Sequence, residues 1–320
     1  MHASVRHARF HMEGVTYHVV LRVVQGRYLL RPDARSEFKR LVAGVIGRAQ
    51  RLYPSIRLFA DAWLSNHAHL LLRGSAAELP FFVGFVEREV SRRWGRRIDW
   101  PGPMFLRYLS TALPGREDEL NAFAYVLSQS VKEGLVSDPR KWPGPHCAQD
   151  LSRGFIRRGI WFDGTSYSRA VHRSGGDLSR GGTPRRQDHE HPTEMRFDKL
   201  PALGHLSAAE YQSRVGVIIQ EIIEAARGAR AESGRKVVGR RWVLRTSRLH
   251  RTSAPRPPWW GRHRRLICWS SARTHQGCSY ASHYWQFQNA FREASERFRS
   301  GELSVVFPAG AFRPVCLASP

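Results

Sequence analysis

Acidic residues are scarce in this chain, which has 27 Asp and Glu against 51 Lys and Arg over 320 residues. The formal net charge is +24, and the isoelectric point is about 11.2. A GC-rich genome that uses Arg in place of Lys explains part of this composition, but it does not explain the shortage of acids. The balance therefore predicts a polyanionic partner, most often a nucleic acid, because each neutralised phosphate releases counterions.

Cysteine is also infrequent, with four residues at Cys147, Cys268, Cys278 and Cys316. No two of them form a CxxC pair, so the sequence signals neither a disulfide framework nor a zinc ribbon. One mixed group lies close enough in sequence for a zinc site, although its spacing matches no standard pattern: Cys268, His275, Cys278 and His283.

Long apolar runs are absent. No stretch of about 18 apolar residues occurs, and residues 1–9 are polar rather than a signal peptide. We therefore predict a cytoplasmic protein with no membrane partner. The hydrophobic content of 42% and the aromatic content of 11% are ordinary for a globular protein, and the length suggests one large or two modest domains.

Two histidines stand out in the segment Leu64–Leu72, which is typical of a β-strand. His67 and His69 project from one face of this strand, while Ala68, Leu70 and Leu72 point to the other. Two imidazoles a few ångströms apart are suited to binding a divalent metal. The other interpretation is a chance pair on an exposed strand face.

The order of predicted elements indicates an α+β fold. Strands are predicted at 15–24, 56–64, 67–73 and 104–113, and helices between 33 and 54, at 78–97 and at 117–132. The first helix has two candidate caps, Asp33 and Ser36, and the last ends at Glu133-Gly134. The order is that of a ferredoxin-like β-α-β-β-α-β arrangement with an antiparallel sheet and a further helix.

The helix at 117–132 has two distinct sides. An apolar stripe predicts its core face: Leu120, Phe123, Ala124, Leu127 and Val131. Tyr125 lies well off this stripe, beside Ser128, Gln129 and Lys132, and Gln129 is one turn after it. A tyrosine on a polar face is usually only solvent-exposed. Directed toward a sheet that carries two metal-binding imidazoles, it becomes a candidate nucleophile.

Four arginines collect at the end of the helix at 78–97, namely Arg92, Arg93, Arg96 and Arg97. Cations at this position suit the helix dipole. They also form a candidate patch for DNA phosphates, to which Lys132 on the later helix adds a further cation.

The second half of the chain differs in composition. Residues 163–200 are rich in Gly, Ser, Arg and His and are predicted to be a linker, and helices are predicted at 208–230 and 284–299. No acid occurs between Glu232 and Glu293, where cations alternate with aromatics. Cations and flat rings suit single-stranded DNA, but a small helical module with the aromatics inside fits equally well. The DNA-binding candidates here are Trp259, Trp260, Arg262, Arg264 and Arg265.

Three stretches together resemble the single-tyrosine HUH transposases, and most closely the REP-associated tyrosine transposases of bacteria. They are Ser65–Leu72, Tyr17–Val20, and Tyr125–Gln129 leading into Glu133–Pro139. The resemblance covers about residues 10–145 and implies a HUH endonuclease core. Together with the composition of the later residues, this predicts three regions: a catalytic domain at 1–145, a partly disordered linker at 146–205, and a basic, aromatic-rich and mostly helical region at 206–320.

The resemblance also implies roles for individual residues. The family's metal-binding histidines fall on His67 and His69, its catalytic tyrosine on Tyr125, and a polar ligand one turn later on Gln129. The implied cofactor is Mg²⁺ or Mn²⁺. The sequence departs from the family at two points: the residue between the histidines is the small Ala68, and Gln129-Ser130 stands where many REP-associated members have Asn-Pro.

The implied function is that of a transposase, a single-strand endonuclease that cuts and rejoins single-stranded or hairpin DNA through a 5′-phosphotyrosine intermediate. One alternative is a non-catalytic DNA-binding protein derived from such an enzyme. Another is a metallohydrolase that uses His-x-His, such as an amidohydrolase, which needs further ligands on later strands. The sequence leaves open the target DNA, the bound metal, and whether the chain acts as a monomer or a homodimer.

Overall fold

An antiparallel sheet of four strands lies at the centre of the first half of the chain. The computed structural model describes residues 8–173, 184–251, 268, 275–311 and 313. The strands are β1 (Thr16–Arg22), β2 (Arg57–Trp63), β3 (His67–Arg73) and β4 (Leu109–Leu113). Their order across the sheet is β2-β3-β1-β4, and every neighbouring pair is antiparallel. The predicted combination of helices with an antiparallel sheet is confirmed.

Helices cover both faces of this sheet. These helices are α1 (Glu37–Leu52), α2 (Glu78–Arg97) and α3 (Arg116–Lys132). Phe38 of α1 contacts the rings of Trp63 and Trp94, which places α1 and α2 on the face that carries Ala68, because Trp63 and Ala68 are opposite each other. The opposite face of β3 carries the two histidines, and α3 lies over it.

The first helix is capped by Asp33 rather than by Ser36. The Asp33 carboxylate accepts hydrogen bonds from the backbone N–H groups of Arg35, Glu37 and Phe38, which would otherwise be unpaired. Ser36 has a φ of 56° and makes no side-chain cap. The end of α3 follows the prediction, because Gly134 after the helix has a φ of 69°, which glycine adopts without strain.

The described part of residues 146–205 is folded, so the prediction of a linker is wrong for it. It contains α4 (Cys147–Leu151), β5 (Ile156–Phe162), α5 (Gly164–Arg173) and β6 (Glu190–Arg196). β5 and β6 pair antiparallel and lie against α1. β5 lacks the alternating apolar pattern of a half-buried strand, because its buried positions are Arg157 and Gly159.

A buried ion network joins this segment to the central sheet. Arg157 of β5 is 3% exposed, and its guanidinium donates to both carboxylate oxygens of Asp61 on β2, at 2.7 and 2.8 Å. It also donates to Asp150, at 2.7 and 3.0 Å. A buried guanidinium needs such partners, because removal of one leaves an uncompensated charge.

The described parts of the C-terminal region are helical, as predicted. They contain α6 (Ala208–Ser233), α7 (Arg240–Arg245) and α8 (His275–Arg299). Among the aromatics of this region, Tyr280 and Tyr284 of α8 are buried and contact Phe10, whereas Trp242 and Trp285 are exposed. Within the described ranges, no helix has the length and apolar character needed to cross a membrane.

Candidate active site

The paired histidines lie on the face of β3 that α3 covers. In the register of the sheet, His69 is opposite Val20 of β1, and His67 is opposite Arg22. His18, two residues before Val20, therefore projects from the same face as both histidines. His18 and His69 are each 4% exposed, while His67 is half-buried at the end of its strand.

Hydrogen bonds at Nδ1 orient both histidines. Nδ1 of His67 lies 2.7 Å from the carboxamide oxygen of Asn66, which only accepts, so this nitrogen carries the proton. Nδ1 of His69 lies 2.9 Å from Nε2 of His18, and the two rings are nearly parallel at 8°. Nε2 of His67 therefore presents a lone pair, and Nε2 of His69 does so in the tautomer in which its Nδ1 donates to His18.

Gln129 of α3 completes this group. Its side chain is buried, and its amide nitrogen donates to the Tyr125 carbonyl at 2.9 Å. Its hydrogen bonding acts to raise the pKa of both His67 and His69, which places the Gln129 side chain at both imidazoles. The helix is rotated from its predicted orientation, because Gln129 is in the interior while Leu120 and Ala124 are only half-buried.

All three histidines are held in the neutral form at neutral pH. Burial, with a smaller effect from Arg22, lowers the pKa of His67 to about 4, and burial followed by His67 lowers that of His18 to about 4. The pKa of His69 is lowered well below its usual range, mainly by burial and to a smaller extent by the charges of His18, His67 and Arg22. A neutral imidazole is the form that binds a metal.

The residues present fit a divalent metal. Nε2 of His69 is buried and makes no well-formed hydrogen bond within the described structure, which suits an atom that binds a ligand. Two imidazole nitrogens and a carboxamide oxygen form a mixed donor set that takes Mn²⁺ more readily than Mg²⁺. Among the described residues, no group of three or more His, Cys, Asp or Glu is arranged to hold a metal, including the described members of the Cys and His group around Cys278.

Tyr125 of α3 lies against this group. Its ring is edge-on to His18, with the centroids 5.7 Å apart, and to His69, with the centroids 5.6 Å apart. Nζ of Lys132 lies 4.5 Å from the centroid of the Tyr125 ring. The structure thus brings a phenol, an ammonium group, three imidazoles and an amide together at one half-buried position.

Two residues of this site were missed by sequence reasoning, His18 and Asn66. Each lies inside a stretch that carries the family resemblance, but nothing in the local pattern assigns a role to either. Asn66 is adjacent in sequence to His67, and this adjacency was the available signal for the hydrogen bond between their side chains. For His18 the deciding fact is the register of β1 against β3, which local pattern does not specify.

The arginines of α2 do not form one open patch. Arg93 has a side chain only 11% exposed; it donates to Glu89 and to the Phe162 carbonyl, and it lies 3.9 Å from the Trp161 ring centroid. This burial contradicts its predicted contact with DNA. Arg92 also pairs with Glu89, and Arg97 pairs with Glu37, so α2 uses these cations within the protein.

The remaining predicted cations and aromatics divide into two groups. Arg92 and the exposed Arg96 line a cavity of about 640 Å³ next to Trp100, which keeps them candidates for a phosphate contact. Five C-terminal candidates lie outside the described residues, namely Trp259, Trp260, Arg262, Arg264 and Arg265.

Comparison with known proteins gives a remote structural similarity. No family model matches the chain, and no curated protein matches it. A solved structure of a REP-associated tyrosine transposase bound to a REP hairpin is similar, with 16% sequence identity and a TM-score of 0.36. The similarity covers 48% of this chain and 87% of the other. A TM-score of this size does not show a shared fold.

Proposed function

We propose that this chain is a metal-dependent DNA strand transferase of the single-tyrosine HUH type, which cuts and rejoins single-stranded or hairpin DNA. One observation carries the proposal: the ring of Tyr125 lies edge-on to His69, and Gln129, one turn further along α3, reaches the same imidazole. A nucleophilic hydroxyl next to a donor set for a divalent ion is the arrangement that phosphodiester cleavage requires.

Nε2 of His67, Nε2 of His69 and the carboxamide oxygen of Gln129 would hold Mg²⁺ or Mn²⁺. When bound, the ion supplies Lewis acidity for a phosphate oxygen. The rest of the chemistry belongs to the protein. Asn66 and His18 orient the two imidazoles, and the overlying α3 restricts access of water to the pair.

In the proposed step, the hydroxyl oxygen of Tyr125 attacks the phosphorus of the scissile phosphodiester. The Tyr125 O–P bond forms, the bond from phosphorus to the 3′ oxygen breaks, and the proton lost by Tyr125 is balanced by the proton gained by the released 3′-OH. Lys132 stabilises negative charge on the phenol and on the phosphate. The phosphotyrosine conserves the bond energy, so another 3′-OH can rejoin the strand.

A second candidate is a DNA-binding protein that does not cut. The net charge of +24 favours it, because binding to phosphates needs only cations. This candidate predicts that DNA binding is independent of metal and is unchanged in Tyr125→Phe. The described structure disfavours the third possibility, an amidohydrolase, because no cluster of three or more suitable metal ligands occurs within it.

A test of the proposal is a covalent-adduct assay. The wild-type protein, Tyr125→Phe and the control Tyr167→Phe are incubated with labelled single-stranded and hairpin DNA, including the DNA that flanks the gene, with Mn²⁺ or with EDTA. We expect an adduct that survives denaturation for the wild type and for Tyr167→Phe, only with Mn²⁺. An adduct in Tyr125→Phe, or binding without any adduct by the wild type, contradicts the proposal.

A further inference from the structure

A cavity of about 710 Å³ lies between α3 and α6, next to the candidate nucleophile. Its inner wall is apolar, where buried Val131 faces half-buried Ile222 and Ala226. Its volume is within the range of sites that hold a small ligand. Part of this wall belongs to α3 and part to the C-terminal region, so the cavity exists only because α6 packs on α3.

The polar part of the wall is strongly cationic. Lys132, Arg230, Arg235 and Lys236 line the cavity, against the single acid Glu133 among the described lining residues. Three of these cations are exposed, whereas Arg230 is half-buried. The combination of an apolar interior and a cationic rim is complementary to a nucleotide, which has an apolar base face and an anionic phosphate.

Arg230 gives a second, independent observation. Its Nη1 is buried and has no hydrogen-bond partner among the described residues, although it lies in the cavity wall. Guanidinium groups are strong donors, and burial without an acceptor is unfavourable. A phosphate in the cavity provides that acceptor and an opposite charge.

The cavity is connected to Tyr125 through α3. Lys132 lines the cavity and also lies 4.5 Å from the centroid of the Tyr125 ring. Ser128, another lining residue, donates its hydroxyl to the Tyr125 carbonyl at 2.8 Å. The segment that carries Arg235 and Lys236 is held at the end of α3, because the N–H of Val238 donates to the Gly134 carbonyl at 2.8 Å.

We propose that this cavity binds an unpaired nucleotide of single-stranded DNA, adjacent in the strand to the phosphate that Tyr125 attacks. The inference rests on the proposed function, because that function makes single-stranded DNA the substrate. The base enters the apolar interior, and the phosphates on either side of it contact Arg230 and the exposed cations. A paired base is held in a duplex and does not reach the interior, so the cavity selects single-stranded over double-stranded DNA.

The test measures DNA binding without metal, so that it does not depend on cleavage. Fluorescence anisotropy with a labelled 20-mer of thymidine nucleotides and with a 20-base-pair duplex is recorded in EDTA. Arg230→Gln removes the half-buried cation, and Ala229→Phe fills the cavity with no change of charge. The matched controls are Arg227→Gln and Ala209→Phe, which alter other positions of α6. Thermal melting confirms that each variant is folded.

We expect Arg230→Gln and Ala229→Phe to weaken binding of the single strand about fivefold or more. The two controls change it less than about twofold, and duplex binding changes little in all four variants. The proposal is overturned if Arg227→Gln weakens binding as much as Arg230→Gln, which indicates general surface charge, or if Ala229→Phe binds the single strand normally.

The adduct assay applied to the same variants separates this inference from the proposed function. If the wild type forms an adduct and the cavity variants bind the single strand normally, only the cavity proposal is lost. If no adduct forms but Arg230→Gln and Ala229→Phe still lose single-strand binding, the cavity proposal stands as a DNA-binding site and strand transfer is lost.

Discussion

The two ring nitrogens of His69 have different surroundings: Nδ1 is hydrogen-bonded within the protein, and Nε2 is available for a ligand. Its Nδ1 is hydrogen-bonded to Nε2 of His18, 2.9 Å away, so the orientation of the ring is set by a residue on the neighbouring strand. Groups that hold the second nitrogen of a metal-binding histidine fix the ring and increase its basicity. In the proposed metal site, His18 would therefore be a positioning residue, which acts through His69.

Replacement of His18 tests this role. We expect His18→Leu to weaken Mn²⁺ binding about 10- to 100-fold, because His69 loses the partner that orients it. In His18→Gln the amide oxygen accepts the hydrogen bond from Nδ1, and part of the affinity returns. Isothermal titration calorimetry with Mn²⁺ measures both.

The control for this measurement is His11→Gln. His11 is also buried, and its ring is hydrogen-bonded to Ser110 rather than to the histidine pair. We expect its Mn²⁺ affinity to stay within about twofold of the wild type. If His18→Leu binds Mn²⁺ as the wild type does, His18 has only a packing role.

At the scale of elements, two glycines in α1 explain how the β5-β6 pair packs. A glycine inside a helix is less favourable than alanine by about 1 kcal/mol. A Cβ at Gly44 would lie 2.0 Å from the Ile160 carbonyl oxygen, and one at Gly47 would lie 2.5 Å from the Thr193 side chain. Because α1 has no side chain at Gly44 and Gly47, the backbone of β5 and the Thr193 side chain of β6 approach the helix closely.

This packing predicts the effect of Gly44→Ala. Helix propensity alone would stabilise the protein, but the clash with the backbone of Ile160 forces α1 and β5 apart. We expect the free energy of unfolding to fall by about 2 kcal/mol, as measured by urea denaturation.

Gly84→Ala in α2 is the matched control. A Cβ at Gly84 meets no atom within 4 Å, so we expect this substitution to stabilise the protein by about 0.5–1 kcal/mol. A Gly44→Ala variant that is as stable as Gly84→Ala would show that β5 does not lie against α1 in solution.

For the whole molecule, buried neutral histidines make stability depend on pH. Burial, with a smaller effect from Arg157, lowers the pKa of His146 to about 3, and burial followed by Arg9 lowers that of His11 to about 4. In the unfolded chain a histidine has a pKa of about 6.5. Below that pH the unfolded state binds protons that the native state does not, so stability falls as the solution is acidified.

His146→Asn isolates one of these groups. Asparagine keeps a side-chain acceptor for the N–H of Ala148, as His146 Nδ1 does now, but it does not titrate. Between pH 7 and pH 5 we expect the wild type to lose about 2 kcal/mol more than the variant, from roughly 1.4 kcal/mol per pH unit below pH 6.5. Urea denaturation at each pH measures the difference.

Between pH 7 and pH 8 the two proteins serve as their own control. His146 is neutral in the native state and mostly neutral in the unfolded state there, so the pH dependence of the wild type and of His146→Asn differs by less than about 0.2 kcal/mol. Equal losses of stability in the two proteins between pH 7 and pH 5 would mean that His146 is protonated in the native state.

Local pattern by itself determined much of this molecule. Alternation along β3 put His67 and His69 on one face, the cap and glycine signals placed the ends of α1 and α3, and the apolar spacing predicted α2 over the residues where it occurs. These features depend on neighbours within a few positions along the chain, which a sequence shows directly. The scarcity of acids likewise set the charge of the whole molecule.

Only the tertiary structure decided which distant residues meet. The register of β1 against β3 brings His18 to His69, and the rotation of α3 buries Gln129, which the apolar stripe did not predict. Arg157 and Asp61 are 96 positions apart, and neither shows in the sequence that it has a buried partner. Such contacts follow from how several elements pack together, and the energy of a buried polar group depends on the partner that packing supplies.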